Sequence, residues 1–524
     1  MNFLRISFLK NLSLLNYLLI FLFFIYSIYI IRYQYDGHHI GLVYSNAIDL
    51  INGRRPYKEI FIQYGFLTTL IHSIILALFE NKVFFISFFN VFFYMVGVLL
   101  ISKSVNNLIN QKYALINSII ILFNHPIPWL PWSNYLAFFF ISISLYFLTR
   151  KEKKFFFISF FISLSILCRQ DLITPIMISF IFFSIFYIIG KNRIVGKNLF
   201  SLILGFFLPM LLFFIYLFFT GLITFWSKYI IIPKYYLEIY DTSIIHLISN
   251  FIIYFSTESF FNFIYKPQHL IISIILIFNS ILIFLKIFNK IKIQNNILFI
   301  ALFSIFLSSS SLKIELFRLF TSVIFGLIPL LYFINKIINK ELKHNLKLLV
   351  LLPAIYCIVF YPMGNNDQFK KLIFNSSKTI IKNHKFDYYK WSDNQVNAIN
   401  LISRLDQKCN VEYLENLTFD TLLSTINDYN RIRLLPFEKA NIRNSNFHTN
   451  IDKIKNPNNN FIKLINKEID KQNIILLVNE NNNIYKDDKI KVLSFYNMIE
   501  FNQSNIIGKP KTLRIYFPSK CFIN

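Results

Sequence analysis

Residues 33–65 read YQYDGHHIGLVYSNAIDLINGRRPYKEIFIQYG and hold the densest polar group ahead of the C-terminal tail. Three carboxylates (Asp36, Asp49, Glu59) stand among two histidines (His38, His39) and three cations (Arg54, Arg55, Lys58). Only eleven acidic residues precede position 363, so three in one loop is a concentration. His38 and His39 could hold a divalent cation with Asp36, or only hydrogen-bond a substrate. Neighbouring histidines rarely point the same way on a helix, so at least one is expected to be a plain surface residue. Arg54, Arg55 and Lys58 could meet a phosphate, or form a solvated turn at the headgroup surface.

Two further polar points lie between apolar runs. Arg169 and Asp171 sit in Cys168-Arg169-Gln170-Asp171 and could pair to close a tight hairpin, or face a cavity. Glu315 and Arg318 are three apart and could pair on one helix face, leaving Arg318 near an anion.

The elements that must position these residues follow from periodicity. Ile40, Val43, Tyr44, Ala47, Ile48 and Ile51 repeat at helical spacing, with Ser45, Asn46, Asp49 and Asn52 opposite. The pattern predicts an amphipathic helix lying flat on the membrane surface, with Asp49 on its wet face. Gly53 is placed to stop it and Pro56 follows. Asp36-Gly37 then falls at its start, where a helix N-terminus favours an ionised carboxylate.

The rest of the chain decides what kind of protein carries this loop. The chain has 524 residues, of which 55% are hydrophobic and only 15% charged, with 63 Phe and 30 Tyr. A soluble domain carries about 25% charged residues, so a soluble enzyme and a disordered chain are both excluded. The net charge of +26 does not mark a nucleic-acid partner. Much of the excess lies in short clusters such as Arg150 to Lys154 and Lys191 to Lys197, the pattern of cytoplasmic loops.

Apolar runs predict about 11 transmembrane helices, near 13–31, 83–102, 113–128, 135–149, 155–169, 172–190, 199–220, 268–288, 296–312, 316–335 and 347–362. This places the N-terminus inside and the C-terminal part outside. The inside loops then hold only two acids, Glu152 and Glu341. The run 66–80 carries His72 and is short, so it is expected as an interfacial or half-inserted helix on the outer side, or a re-entrant segment. Trp129, Trp132 and Trp226 are expected in the aromatic belt at the membrane interface.

The composition changes after residue 362. Residues 363–524 are Asn-rich and read as a small C-terminal α/β soluble domain beside a transmembrane domain over 1–362. Ser392 and Thr418 can cap helices, and 473–478 and 512–517 read as strands. Cys409 and Cys521 could form a disulfide in an oxidising compartment.

The stretch YDGHH…AIDLINGRRPYKEIFIQYG, an acidic residue after a first span followed by a small-Gly-x-x-Pro-Tyr turn and a short apolar helix, resembles the GT-C superfamily. These are polyprenyl-phosphate-sugar-dependent membrane glycosyltransferases, among them protein O-mannosyltransferases and lipid A aminoarabinose transferases. The resemblance covers the membrane half. The sequence departs in having Gly-His-His after the first Asp, where many relatives carry an acidic residue or Asn. The resemblance implies Asp36 as catalytic base. It implies Arg169 as a contact to the donor phosphate, which joins His38, His39, Arg54, Arg55, Lys58, Glu59 and Arg318, read from the residues themselves, as substrate-binding candidates. It implies no required cofactor, with a divalent cation as the open alternative. The implied partners are a polyprenyl-phosphate-linked sugar donor, a lipid, glycan or protein acceptor, and membrane lipids. Rival classes are a transporter or flippase of lipid-linked sugars, and an O-antigen ligase or polymerase. The Ile, Asn, Lys and Phe richness suggests an AT-rich, bacterial genome, and the expected location is the bacterial inner membrane.

Overall fold

A computed structural model of the chain describes residues 12–32, 39–60, 62, 65–125, 129–189, 196–229, 267–288, 290–308, 316–341 and 351–364, together with five strands near the C-terminus. The helices are α1 (Leu14–Ile31), α2 (His39–Ile51), α3 (Phe66–Leu78), α4 (Phe84–Leu108), α5 (Gln111–Phe123), α6 (Ser133–Thr149), α7 (Phe155–Cys168) and α8 (Ile173–Ile189). They continue as α9 (Gly196–Phe219), α10 (Ile223–Tyr229), α11 (Pro267–Ile287), α12 (Asn295–Ser308), α13 (Leu316–Val323), α14 (Leu327–Glu341) and α15 (Leu352–Gly364).

Among the described residues, five helical stretches are long and apolar enough to cross a membrane: Leu14–Ile31, Phe84–Leu108, Asn198–Phe219, Gln268–Ile287 and Leu319–Ile337. The large apolar side chains left exposed, such as Phe200, Phe207, Leu211 and Phe219 on α9, would be intolerable in water in such number. The protein is a helical integral membrane protein. Several other apolar helices are shorter than the runs that predicted them. The run 113–128 yields α5, which ends at Phe123. At 1.5 Å per residue its 13 residues rise about 20 Å, against a hydrocarbon layer of about 30 Å.

Local chemistry sets the helix ends. Ser13 caps α1 by accepting from the Asn16 amide at 3.3 Å. Asn110 caps α5 by accepting from the Tyr113 amide at 3.2 Å. Between helices, polar side chains do the joining that apolar surface cannot do against lipid. Ser118 donates to Asn16 Oδ1 at 2.6 Å, and Asn117 donates to Ser102 at 3.2 Å, tying α1, α4 and α5. Ser144 donates to the Ile158 carbonyl at 2.8 Å, tying α6 to α7.

The helix from 316 to 341 is interrupted by a 3-10 turn at Ile324–Gly326. Carbonyls at the break meet donors from neighbouring helices. Ser304 of α12 donates to the Val323 carbonyl at 2.7 Å, and Asn279 of α11 donates to the Gly326 carbonyl at 3.1 Å. Buried backbone without such partners is not tolerated.

In the C-terminal region five strands pair in the order β2-β1-β3-β5-β4. They are β1 (Val411–Leu414), β2 (Arg431–Ile432), β3 (Ile474–Asn479), β4 (Tyr496–Gln503) and β5 (Lys511–Pro518). β1 runs parallel to β2 and β3, while β5 is antiparallel to both β3 and β4. Two of these fall within a residue of the strands expected at 473–478 and 512–517. The helices expected after Ser392 and Thr418, and both Cys409 and Cys521, lie outside the described residues.

Candidate functional site

The amphipathic helix of the first loop forms as α2, over His39–Ile51. Its apolar face does not lie on lipid. Ile40, Tyr44 and Ala47 are fully buried in the main core, packed with α3, because α3 offers a protein surface to cover them. Asp49 is also not on a wet face: it is 4% exposed. The chain reverses directly after the helix. Gly53, at φ +77°, sits in the left-handed region. Its amide donates to the Leu50 carbonyl at 3.1 Å, and the Arg54 amide donates to the Asp49 carbonyl at 3.0 Å. This is a Schellman end, and it folds the following turn back towards Asp49.

The turn is closed by its own charges. Glu59 accepts from the Arg55 amide at 2.7 Å and lies 3.5 Å from the Arg55 guanidinium. The amide bond, then the guanidinium and the nearby Lys58 ammonium, hold the Glu59 carboxyl below its ordinary pKa. Lys58 places its ammonium over the Phe225 ring of α10, 5.3 Å from the centroid. Tyr57, at φ +64°, is buried against α9, with its ring 6.5 Å from that of Phe213. Ile60, Ile62, Leu217 and Leu222 complete this small core. The three cations of the turn are therefore carried on a fixed platform made by α9 and α10.

The second polar point is joined to the same loop. Thr68, on the first turn of α3, donates to the Cys168 carbonyl at the end of α7 at 3.1 Å. Gly65 approaches so closely that a Cβ there would lie 2.2 Å from the Leu167 carbonyl oxygen. Arg169 follows Cys168 directly. It is 3% exposed, and its Nε donates to Asp171 Oδ1 at 3.0 Å, with a second contact from its terminal nitrogen to Oδ2. A buried guanidinium requires such a partner. The Arg169–Asp171 pair closes the corner between α7 and α8 through a 3-10 turn at Gln170–Leu172.

A third polar group was not anticipated. It lies beside α4 and centres on the turn after α5. His125 stacks on Trp129 at 3.7 Å between centroids and hydrogen-bonds Tyr135 at 3.0 Å. Tyr94 of α4 meets the His125 ring at 4.8 Å and the Trp129 ring at 5.3 Å. Trp129 is 2% exposed, so it does not stand in an interfacial belt. Its imidazole partner and the rings of Tyr94 and Tyr135 enclose it. Closer to the α3 side, His72 is buried and lies 2.9 Å from Asn90 of α4. The clue in the sequence was polar residues at Asn90 and Tyr94, four apart inside an apolar run, and the imidazole of His125 before a Pro-rich turn.

Asp36 and His38 lie outside the described residues. His39 opens α2 and Arg318 is the third residue of α13, but their side chains are likewise outside the description. Among the described residues no three His, Cys, Asp or Glu side chains come together as a metal site. No protein-family model matches the chain, and no curated protein matches it.

Proposed function

We propose that the protein is a membrane glycosyltransferase of GT-C type. It moves a sugar from a polyprenyl-phosphate carrier to a hydroxyl on a lipid, glycan or protein at the outer face of a bacterial inner membrane. About 11 spans over 1–362 carry the site, with the N-terminus cytoplasmic. Residues 363–524 form an outer α/β domain. The acceptor oxygen attacks the anomeric carbon as Asp36 takes its proton, and the carbon–oxygen bond to phosphate breaks with inversion. The bonding pair leaves on the polyprenyl phosphate. Arg169, with Arg318 or Arg54, holds that phosphate as charge builds on it.

The observation that carries this reading is the seam between α3 and α7. Gly65 and Thr68 seat the end of the first loop on the Leu167–Cys168 backbone, one residue from Arg169. On this reading, a base from the loop and a cation from the corner serve one reaction centre. The rival reading, a transporter of lipid-linked sugars, draws on the helix break at Ile324–Gly326, since broken helices line substrate paths in transporters.

The test is the glycolipid profile, by mass spectrometry, of cells carrying wild-type protein or Asp36→Asn at matched membrane levels. The expected result is one glycan short of a sugar, with its polyprenyl-phosphate donor accumulating. A mutant profile equal to wild type, in cells where deletion changes the profile, removes Asp36 from the chemistry and favours transport.

A further inference from the structure

The outer half of α4 carries a buried polar face that the seam and the turn do not use. Ser87, Asn90 and Tyr94 follow at helical spacing, and each is at most 2% exposed. The hydrogen bonds of Asn90 fix its amide. Nδ2 donates to the Ile86 carbonyl at 2.8 Å, and its second proton faces His72 Nε2 at 2.9 Å. A carbonyl oxygen could not take the first of these places, so Nδ2 is the nitrogen and both of its protons are used. His72 Nε2 must then be the acceptor, which leaves the imidazole neutral with its proton on Nδ1.

This leaves a matched pair of orphans. His72 Nδ1–H is a buried donor with no acceptor, and Asn90 Oδ1 is a buried acceptor with no donor. One helical turn along α4, the Tyr94 hydroxyl is also buried without a partner. Past Tyr94 lies the His125–Trp129 stack; Asn124 Oδ1 at the end of α5, and Ser133 Oγ and Asn134 Nδ2 at the start of α6, are also buried and unpartnered. An unsatisfied buried polar group costs about 1–3 kcal/mol, so the three orphans of the His72–Asn90 pair and of Tyr94, one helical turn further along α4, need a cause. Tyr94 lies ten residues into α4, about 15 Å along it from Phe84.

We propose that this face, from His72 and Asn90 through Tyr94 to Asn124 and the start of α6 at Ser133 and Asn134, is a binding site for a hydroxyl-bearing ring, the glycosyl group of the lipid-linked donor. One sugar hydroxyl accepts from His72 Nδ1–H and another donates to Asn90 Oδ1, since the two atoms face away from each other across the His72–Asn90 hydrogen bond. The Tyr94 hydroxyl serves a further position, and the amide and hydroxyl of Asn134 and Ser133 another. Aromatic edges beside them suit the apolar C–H face of a pyranose. The identity of the ring rests on the transferase reading; the hydroxyl chemistry of the site does not.

Tyr94→Phe decides the matter, because it removes one oxygen and keeps the packing. If the hydroxyl were idle, its loss would leave thermal stability equal or higher. The experiment compares thermal unfolding and equilibrium binding of the full chain in nanodiscs with three probes: a polyprenyl-phosphate-linked hexose, the same polyprenyl phosphate without sugar, and free hexoses. Expected is tighter binding of the sugar-bearing lipid by wild type, and loss of about tenfold of that preference in Tyr94→Phe and in Asn90→Leu. Binding of the bare lipid phosphate should not change in either variant. A preference retained in Tyr94→Phe overturns the site while leaving the transferase reading intact, and assigns the orphan atoms to trapped water alone. If wild type does not distinguish the two lipids, the transferase reading fails, and free hexoses then judge the site. A hexose-induced stabilisation lost in Tyr94→Phe upholds it, and no stabilisation by any hexose overturns it.

Discussion

Thr68 and Cys168, one hundred residues apart, are joined by a hydrogen bond of 3.1 Å from the threonine hydroxyl to the cysteine carbonyl. The bond matters because the carbonyl belongs to the last residue of α7, where a helix end leaves its acceptors open. Thr68 closes one of them with a side chain from the first loop. Gly65 allows the approach. Gly65→Ala would place a carbon 2.2 Å from the Leu167 oxygen, so the seam must open. The expected loss is about 1–3 kcal/mol of stability, read as a lower unfolding temperature in detergent. Thr68→Val keeps the shape and loses only the bond. It should unfold at a modestly lower temperature while Gly65→Ala falls further.

The buried Arg169–Asp171 pair separates structural from catalytic duty. Removing one partner strands a charge, and Arg169→Gln should cost about 3–5 kcal/mol. Replacing both, Arg169→Met with Asp171→Leu, should return much of that stability, since a buried pair often breaks even against apolar residues. Sugar transfer should stay lost in the double variant if Arg169 holds the donor phosphate. Thermal unfolding and glycolipid profiling of the three proteins check both statements.

Glu59 gives the turn a pH dependence of known sign. Its carboxyl is held below the ordinary value by the Arg55 amide, the Arg55 guanidinium and Lys58. A depressed carboxylate adds its stability above the unfolded value, near 4.5, and loses it as pH falls through the lower folded value. The carboxylate is substantially exposed, so the effect is local. Limited proteolysis of the 54–60 turn should quicken as pH falls below that value in wild type. In Glu59→Gln it should be fast at every pH.

The 3-10 break depends on two donors from outside its helix. Asn279→Leu leaves the Gly326 carbonyl unmatched in an apolar interior, and Ser304→Ala does the same for Val323. Each should cost about 1–3 kcal/mol, measured by thermal unfolding. If the break is a hinge, both variants should also change the protease sensitivity of 309–315 relative to a control on α1.

Much of the first loop could be read from the sequence because periodicity and turn chemistry are local. Ile40, Tyr44 and Ala47 announced the buried face of α2, and Gly53 its stop. Asp49 could not be placed, since helical spacing sets it opposite the apolar face while the fold leaves it 4% exposed. The apolar runs gave the membrane class at once. They did not give lengths: α5 stops at Phe123, ahead of Asn124-His125-Pro126, where the proline disfavours helical backbone, and the Asn124 side chain turns in beside Cys357 at 2.8 Å. Arg169 and the loop were each visible as polar points, but their joining through Gly65 and Thr68 is a contact across a hundred residues. Asn90 and Tyr94 carried a signal, four apart in an apolar helix, whose meaning depends on His72 and His125 arriving from other elements.

The helix α9 has two faces with different duties. Phe213 and Leu217 hold Tyr57 and so fix the cationic turn, while Leu211, Leu212, Phe214 and Phe218 are exposed to the hydrocarbon. A helix answers a thicker or thinner bilayer by changing its tilt. Any such tilt is passed, through Tyr57, to the positions of Arg54 and Lys58. Acyl-chain length in the host membrane thereby becomes a mechanical input to the loop, and, on the proposed transferase reading, lipids of the wrong thickness would loosen the hold on phosphate with every residue still in place.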